Sequence, residues 1–153
     1  MVSSFFLDSD VILDFLLDRN PFNFSADEIF EEGYNRNIQI FFSSLTVANI
    51  HYLLRKQYGY DGALNKIAEL LSFCQILPVT EKEIFDAIKS GFSDFEDAIQ
   101  YFTAIQNSDI KGIITRNLSD YKKSKIPVFS PESFLCTFKQ NPPAPPISSH
   151  GFL

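Results

Sequence analysis

Acidic side chains recur in three short polar segments of the sequence, each next to an apolar run. The segments are Asp8–Asp10, Asp94–Asp97 and Thr115–Asp120. Carboxylate, hydroxyl and amide oxygens are the ligands that hard cations such as Mg²⁺ take in proteins. A carboxylate beside an apolar run is costly to bury unless a metal ion or hydrogen-bond donors compensate its charge. The three segments are therefore the candidates for metal-dependent chemistry, provided that the fold brings them together.

Asp8 lies at the junction of a predicted strand and a predicted helix. The apolar residues Phe5–Leu7 indicate a buried strand, and the helical spacing of the next apolar residues predicts a helix over Ser9–Leu17. In open α/β sheets, ligands bind outside the carboxyl ends of the strands, which is where Asp8 is expected. Asp8 is equally well placed to cap the helix, so a ligand role and a capping role both stay open at this point.

The other two segments occupy comparable positions. Asp94 and Asp97 fall three residues apart in the first turns of a helix that a capping box at Ser93 predicts. The helix dipole alone accounts for acids there, but Asp97 also borders a buried apolar stripe. Asp120 follows a predicted strand over 112–115 and so repeats the pattern of an apolar run followed by polar oxygen ligands. If the strands are parallel, these acids converge at one edge of the sheet.

Other charged groups are interpreted as solvated surface. Asp10, Asp14 and Asp18 recur every four residues, which is typical of the exposed face of a helix. Five of the 13 basic residues lie between Lys111 and Lys125, where a solvated surface is again the simpler interpretation. Because this basic cluster overlaps the last acidic segment, a substrate-binding role for it stays open.

The whole chain alternates predicted strands and helices. Further strands are predicted over 38–42, 75–79 and 127–130, with helices between them. This alternation predicts an α/β fold, a three-layer α/β/α arrangement with a mostly parallel sheet of four to five strands. We expect one domain over residues 1–137 and a flexible, Pro-rich tail over 138–153 that cannot build a core of its own.

Composition limits the class of protein. The 153 residues carry a net charge of −6 and are 45% apolar, which is typical of a single globular domain. A negative net charge argues against non-specific binding of long nucleic acids. No apolar run approaches the roughly 18–20 residues of a membrane span, and the N-terminus lacks a signal-peptide pattern. Cys74 and Cys136 are too few for a disulfide framework, so we expect a cytoplasmic protein without membrane attachment.

Three strings of the sequence together resemble a known family. The strings LDSDVIL (7–13), DFEDAIQ (94–100) and TRNLSD (115–120), the last followed by SPE (130–132), are similar to those of the PIN-domain ribonucleases. Many members of that family are the toxins of bacterial toxin–antitoxin pairs. The similarity covers roughly residues 2–135, and the strings are specific in this order and at these distances rather than singly.

The resemblance implies an endoribonuclease that uses Mg²⁺ or Mn²⁺ to cleave single-stranded RNA, since a bound cation can activate water and stabilise the charge of a displacement at phosphorus. It assigns metal binding and catalysis to Asp8, Asp97 and Asp120, with Asp94 as the reserve ligand. Around these acids we expect three supporting polar residues, Asn49, Thr115 and Asn117. We expect the positively charged Arg116 to bind the substrate phosphates. The resemblance also implies a small antitoxin protein as a partner and a homodimer as the assembly.

Asn49 departs from the family pattern, which usually has a Glu at this position of the third helix. The resemblance therefore implies one negative charge fewer, weaker divalent binding and slower catalysis. A PIN-like nucleic-acid-binding module with weakened catalysis is the first alternative. A phosphatase of the haloacid dehalogenase type is the second, because Asp8 and Asp10 after an apolar strand also resemble the paired-Asp motif of that family.

Overall fold

A sheet of five parallel strands crosses the centre of the molecule, in the computed structural model that describes residues 1–142 and 144. In chain order the strands are β1 (Ser3–Leu7), β2 (Ile38–Ser43), β3 (Cys74–Leu77), β4 (Ile110–Ile114) and β5 (Val128–Phe129). Their order across the sheet is β3-β2-β1-β4-β5, and every neighbouring pair is parallel. The predicted parallel sheet is confirmed.

Helices cover both faces of the sheet. They are α1 (Ser9–Leu16), α2 (Asn23–Tyr34), α3 (Ser44–Leu71), α4 (Glu81–Lys89), α5 (Phe95–Ala104) and α6 (Pro131–Gln140). A short 3₁₀ helix over Leu118–Tyr121 follows β4. Within the described part of the chain, none of these helices combines the length and the apolar character that a membrane span requires.

Side chains that alternate along the strands separate two apolar cores. Leu7 and Ile114 point to the larger core, which α1, α2, α3 and α6 cover. Phe6 and Ile113 point to the opposite face, where Tyr101 of α5 closes the second core. The central strands are thus buried on both sides, as their continuous apolar runs predict, and the three-layer α/β/α arrangement is confirmed.

The strand order changes direction at β1. The chain adds β2 and β3 on one side of β1 and then returns to place β4 and β5 on the other side. In a parallel sheet of this kind, a crevice forms at the carboxyl ends of the strands where the order reverses. The residues that follow β1 and β4, including Asp8 and the segment 115–120, therefore lie at the point where such folds bind ligands.

The third helix is longer than its sequence indicates. The turn residues between 58 and 62 predict two separate helices, whereas α3 continues through them with a kink at Gly59. Gly59 has φ 72° and ψ 176°, a backbone conformation that a residue with a Cβ rarely adopts. The half of α3 before this kink begins at the acidic end of the sheet.

The last helix extends beyond the predicted domain boundary at residue 137. It ends at Gln140, and the ring of Phe138 stacks on that of Phe134 with 5.6 Å between the centroids. The first three residues of the predicted tail are therefore helical. Of the remaining tail, Pro143 and residues 145–153 lie outside the described residues, so its flexibility stays a prediction.

Candidate active site

Asp8 is fixed at the carboxyl end of β1 by four hydrogen bonds. Its backbone N–H donates to the carbonyl of Ile114 at 3.0 Å, which joins the ends of β1 and β4. Its Oδ1 accepts from the N–H of Ser9 at 2.8 Å, so Asp8 caps α1. Its Oδ2 accepts from the hydroxyls of Thr115 at 2.9 Å and Tyr121 at 3.1 Å. Asp8 is only 4% exposed, and these donors compensate its burial.

Burial raises the pKa of Asp8, and the hydrogen bonds from Thr115, Ser9 and Tyr121 oppose that rise. The nearby charge of Asp120 raises it further. Burial and the charge of Asp8 also raise the pKa of Tyr121, so this phenol keeps its proton and donates it. The environment of Asp8 thus combines donors that support a carboxylate with another acid that repels it.

The other two acidic segments, which contain Asp97 and Asp120, meet at the start of α5. Asp94 caps this helix by accepting from the N–H of Asp97 at 2.9 Å, so the predicted capping box at Ser93 is wrong. Partial burial raises the pKa of Asp97 to about 8, and the charges of Asp8 and Asp94 add to the rise. A side-chain hydrogen bond with Asp120 contributes as well. The structure therefore brings these acids to one end of the sheet.

A buried polar chain holds α5 in place against α3. The side-chain amide of Gln100 donates to the hydroxyl of Thr46 at 2.8 Å, and Gln100 is fully buried. Thr46 in turn shares a hydrogen bond with Ser43, the residue that caps α3. Although the side-chain oxygen of Gln100 has no partner among the described residues, these hydrogen bonds fix the relative position of the two helix starts.

Asp10 belongs to this acidic group, although its sequence pattern places it on a solvated face. Its Oδ2 accepts from the backbone N–H of Arg116 at 3.1 Å, and its Oδ1 is buried without a partner among the described residues. Burial and the charge of Asp8 raise the pKa of Asp10 to about 7. The prediction of an exposed row holds for Asp18 and is wrong for Asp10, because α1 turns its carboxylate towards the end of β4.

The same correction applies to Asp14, which is 1% exposed and holds Arg116. The guanidinium donates through Nε to Oδ2 at 2.7 Å and through Nη2 to Oδ1 at 3.1 Å. The guanidinium carbon also lies 4.0 Å from the ring centroid of Phe22. Arg116 is thus anchored by two contacts, and only its remaining N–H groups are available to a phosphate.

Thr115 and Asn117 support this end of β4. Thr115 donates to Asp8, and its Oγ1 accepts from the N–H of Asn117 at 3.0 Å. The carbonyl of Asn117 accepts from the N–H of Asp120 at 3.1 Å. These bonds turn the chain so that Asp120 is presented towards Asp97, which fits the supporting role expected for both residues.

Asn49 faces the acidic group through Glu96, a residue that the sequence indicates only as part of a cap. Its side-chain amide donates to Oε1 of Glu96 at 3.0 Å. Partial burial raises the pKa of Glu96, as do the charges of Asp8 and Asp94, whereas the bond from Asn49 lowers it. Glu96 is therefore a further acid of the site. Its single sequence signal is its position directly before Asp97 in the first turn of α5.

Comparison with known proteins decides the family. The sequence profile described as the PIN domain matches residues 4–119, which is most of the chain. This chain belongs to the PIN domain family. The resemblance carried by the three acidic strings is confirmed. No curated protein matches this PIN domain in sequence.

Solved structures share the fold of this PIN domain at low sequence identity. VapBC2 from Rickettsia felis, bound to a promoter DNA fragment, has 15% identity and a TM-score of 0.61, covering 83% of this chain and 98% of that chain. A toxin–antitoxin complex from Klebsiella pneumoniae has 21% identity and a TM-score of 0.61, covering 83% and 97%. VapC20 from Mycobacterium tuberculosis, a toxin that cleaves the sarcin–ricin loop, has 15% identity and a TM-score of 0.55, covering 72% and 87%.

The donor set of this PIN domain fits a divalent cation. Within residues 1–142 and 144, no three His, Cys, Asp or Glu side chains are close enough together to hold a metal ion. Mg²⁺ is usually held by one or two carboxylates and several waters, so one or two of these acids with water ligands are the arrangement that fits it. The unpartnered Oδ1 of Asp10 and the raised pKa of Asp97 both indicate carboxyl groups whose charge lacks a compensating cation.

Proposed function

We propose that this PIN domain is a divalent-metal-dependent endoribonuclease that hydrolyses phosphodiester bonds of single-stranded RNA. The observation that carries the proposal is geometric: Asp8 follows β1, Asp120 follows β4, and Asp97, in the first turn of α5, shares a side-chain hydrogen bond with Asp120. Burial first, and then the neighbouring acids, raise the pKa of Asp8 and of Asp97 there. Membership of the PIN domain family supports it. A phosphatase of the haloacid dehalogenase type has no such support.

The proposed ligands of Mg²⁺ or Mn²⁺ are Asp8, Asp97 and Asp120. Asp10 and Glu96 complete the negative charge of the site, and Asp94 serves the cap of α5 first. A bound metal ion would supply two things there: a lower pKa for water and stabilisation of the negative charge that develops on the phosphate oxygens. The role of the protein is to keep these carboxylates ionised and oriented, and the hydroxyls of Thr115 and Tyr121 do so for Asp8.

Arg116 and Asn49 have positioning roles in this proposal. Arg116 is held by Asp14, and its free N–H groups are offered to a substrate phosphate. Asn49 donates to Glu96 and so orients a carboxylate that stands in for the Glu the family has in the third helix. The charge that Asn49 lacks is thereby supplied from α5, which argues against a binding module with weakened catalysis.

The biological role that we propose is the toxin of a toxin–antitoxin pair. The structural neighbours of this chain include two toxin–antitoxin complexes and a toxin that cleaves an RNA loop. By analogy, the partner is a small antitoxin protein, and the assembly is a homodimer. Co-purification with the product of an adjacent gene and the mass of the free protein in solution test these two points.

Cleavage of a labelled single-stranded RNA in Mn²⁺ or Mg²⁺ tests the proposed activity. We expect wild-type cleavage that EDTA abolishes, and a loss of at least about 100-fold in Asp8→Asn and Asp97→Asn, since even indirect partners of a metal site cost 10–100-fold. Asp109→Asn is the matched control, because Asp109 is exposed and lies before β4, at the opposite end of the sheet. RNA binding without cleavage would favour the binding module, and cleavage in EDTA would refute metal dependence.

A further inference from the structure

A cationic and aromatic cluster lies on α3 beside the acidic site. Tyr52 is 53% exposed, and two cations approach its ring. The guanidinium carbon of Arg55 lies 4.9 Å from the ring centroid, and Nζ of Lys56 lies 5.0 Å from it. We call these three residues the Tyr52 patch. It combines a flat apolar surface with two positive charges in a protein whose net charge is −6.

The helix places this patch next to the proposed metal ligands. Asn49, which contacts Glu96, lies three residues before Tyr52 and seven before Lys56. Residues at these spacings share one face of a helix. With a rise of about 1.5 Å per residue, Tyr52 follows Asn49 by about 4.5 Å along the axis and Lys56 by about 10.5 Å. The patch therefore continues the surface of the active site along α3.

The charges of the patch are available to a ligand. Among residues 1–142 and 144, neither Arg55 nor Lys56 forms an ion pair with an acid. Arg116, by contrast, is anchored to Asp14. An anionic chain that enters the acidic site thus meets uncommitted positive charges at the Tyr52 patch.

We infer that the Tyr52 patch is a binding subsite for single-stranded RNA, in which a base stacks on Tyr52 while Arg55 and Lys56 hold the flanking phosphates. Single-stranded nucleic acid is bound in this manner, by aromatic rings that stack on bases and by cations that follow the backbone. A double helix would not offer an unstacked base to the ring. The inference rests on the proposed ribonuclease function and adds the surface that positions its substrate.

Fluorescence anisotropy with a labelled single-stranded oligoribonucleotide tests the subsite. The titrations are made in Mg²⁺ with the Asp8→Asn protein, so that the RNA stays intact. We expect Tyr52→Ala to weaken binding about 5- to 150-fold, the range of one lost base stack, and Tyr52→Phe to bind as the parent does. The double variant Arg55→Gln/Lys56→Gln lowers the slope of log K against log salt by about 1.4, which corresponds to two phosphate contacts on a single strand.

Lys66→Gln provides the matched control. Lys66 also lies over a tyrosine ring, at 4.5 Å from the centroid of Tyr58, but it follows the kink in α3. This variant keeps the parent affinity and salt slope. Equal affinity of Tyr52→Ala and its parent, with unchanged melting temperature, overturns the subsite and leaves the patch to a protein partner or to solvent. Absence of RNA binding by the parent overturns it as well.

The two proposals fail in different ways. Cleavage by the wild type together with unchanged binding in the patch variants removes the subsite and keeps the ribonuclease. Patch-dependent binding without cleavage in any divalent ion keeps the subsite and removes the ribonuclease. The binding titration therefore tests the subsite, and the cleavage assay tests the ribonuclease.

Discussion

Glu96, which accepts a hydrogen bond from Asn49, gives the sharpest prediction about the site. In Glu96→Gln the hydrogen bond from Asn49 is kept in form but the negative charge is lost. A unit charge about 4 Å from another contributes about 1 kcal/mol in water, and a divalent ion doubles this figure. Because Glu96 lies at the exposed rim, the water value applies. We expect Mn²⁺ to bind about 30-fold more weakly.

The reciprocal change restores the charge on α3. In Asn49→Glu two carboxylates face each other, so the metal-free protein loses stability and the divalent ion binds more tightly than to the wild type. In the double variant Asn49→Glu/Glu96→Gln the number of charges returns to that of the wild type, because the acid has only changed helix. We expect its Mn²⁺ affinity to lie within about threefold of the wild type, since about 0.65 kcal/mol corresponds to that factor.

Isothermal titration of Mn²⁺ into the four proteins measures these affinities, and the melting temperature with and without Mn²⁺ checks the fold. Glu81→Gln is the matched control, because Glu81 is an exposed acid in the first turn of α4. Wild-type affinity in Glu96→Gln, alongside a loss in Asp97→Asn, would refute the placement of Glu96 at the site. The fourth acid would then have to be Asp10.

Further predictions concern stability. The pKa of Asp97 is raised from 3.8 to about 8 in the folded state, so the folded protein holds a proton that the unfolded chain has lost. Metal-free stability therefore falls as pH rises from about 4 to about 8, and melting curves of Asp97→Asn show a weaker fall. Arg116→Ala leaves the buried Asp14 with only its longer contact to Arg19, at 3.9 Å, so urea unfolding shows a loss of at most about 3 kcal/mol, since Arg116 is also partly exposed; Arg116→Lys recovers part of it. Deletion of residues 141–153 changes the melting temperature by only a few degrees, and a larger loss would assign the tail to the core.

The parts of the fold that depend on local patterns can be predicted from the sequence. The position of Asp8 is predictable because an apolar strand followed by a helical period determines where the chain turns. The parallel sheet follows from the alternation of strands and helices along the chain. The capping box at Thr80, where Glu83 follows three residues later, and the cap at Ser130 before Pro131 have equally local causes.

The parts of the site that depend on distant contacts cannot be predicted in this way. Asp14 is buried because Arg116, 102 residues later, neutralises it. The four-residue spacing of acids along α1 gives no information about a partner so distant in the sequence. Asp10 is turned inward towards the backbone N–H of Arg116, a contact that is equally distant in the sequence. The sequence does not predict Glu96 as a site residue, because a capping motif is sufficient to explain an acid at this position. Its place in the acidic site becomes visible only through its contact with Asn49 of α3.

The central claim is that the acids at the carboxyl ends of β1 and β4 form one divalent-cation site. Paramagnetic broadening by substoichiometric Mn²⁺ in an amide NMR spectrum tests it most directly, because the effect falls steeply with distance from the ion. We predict that the amide signals around Asp8, Asp97 and Asp120 broaden first and that signals at the amino ends of the strands, such as that of Ile110, are spared. Broadening centred elsewhere, or equal broadening in Asp97→Asn, would contradict it.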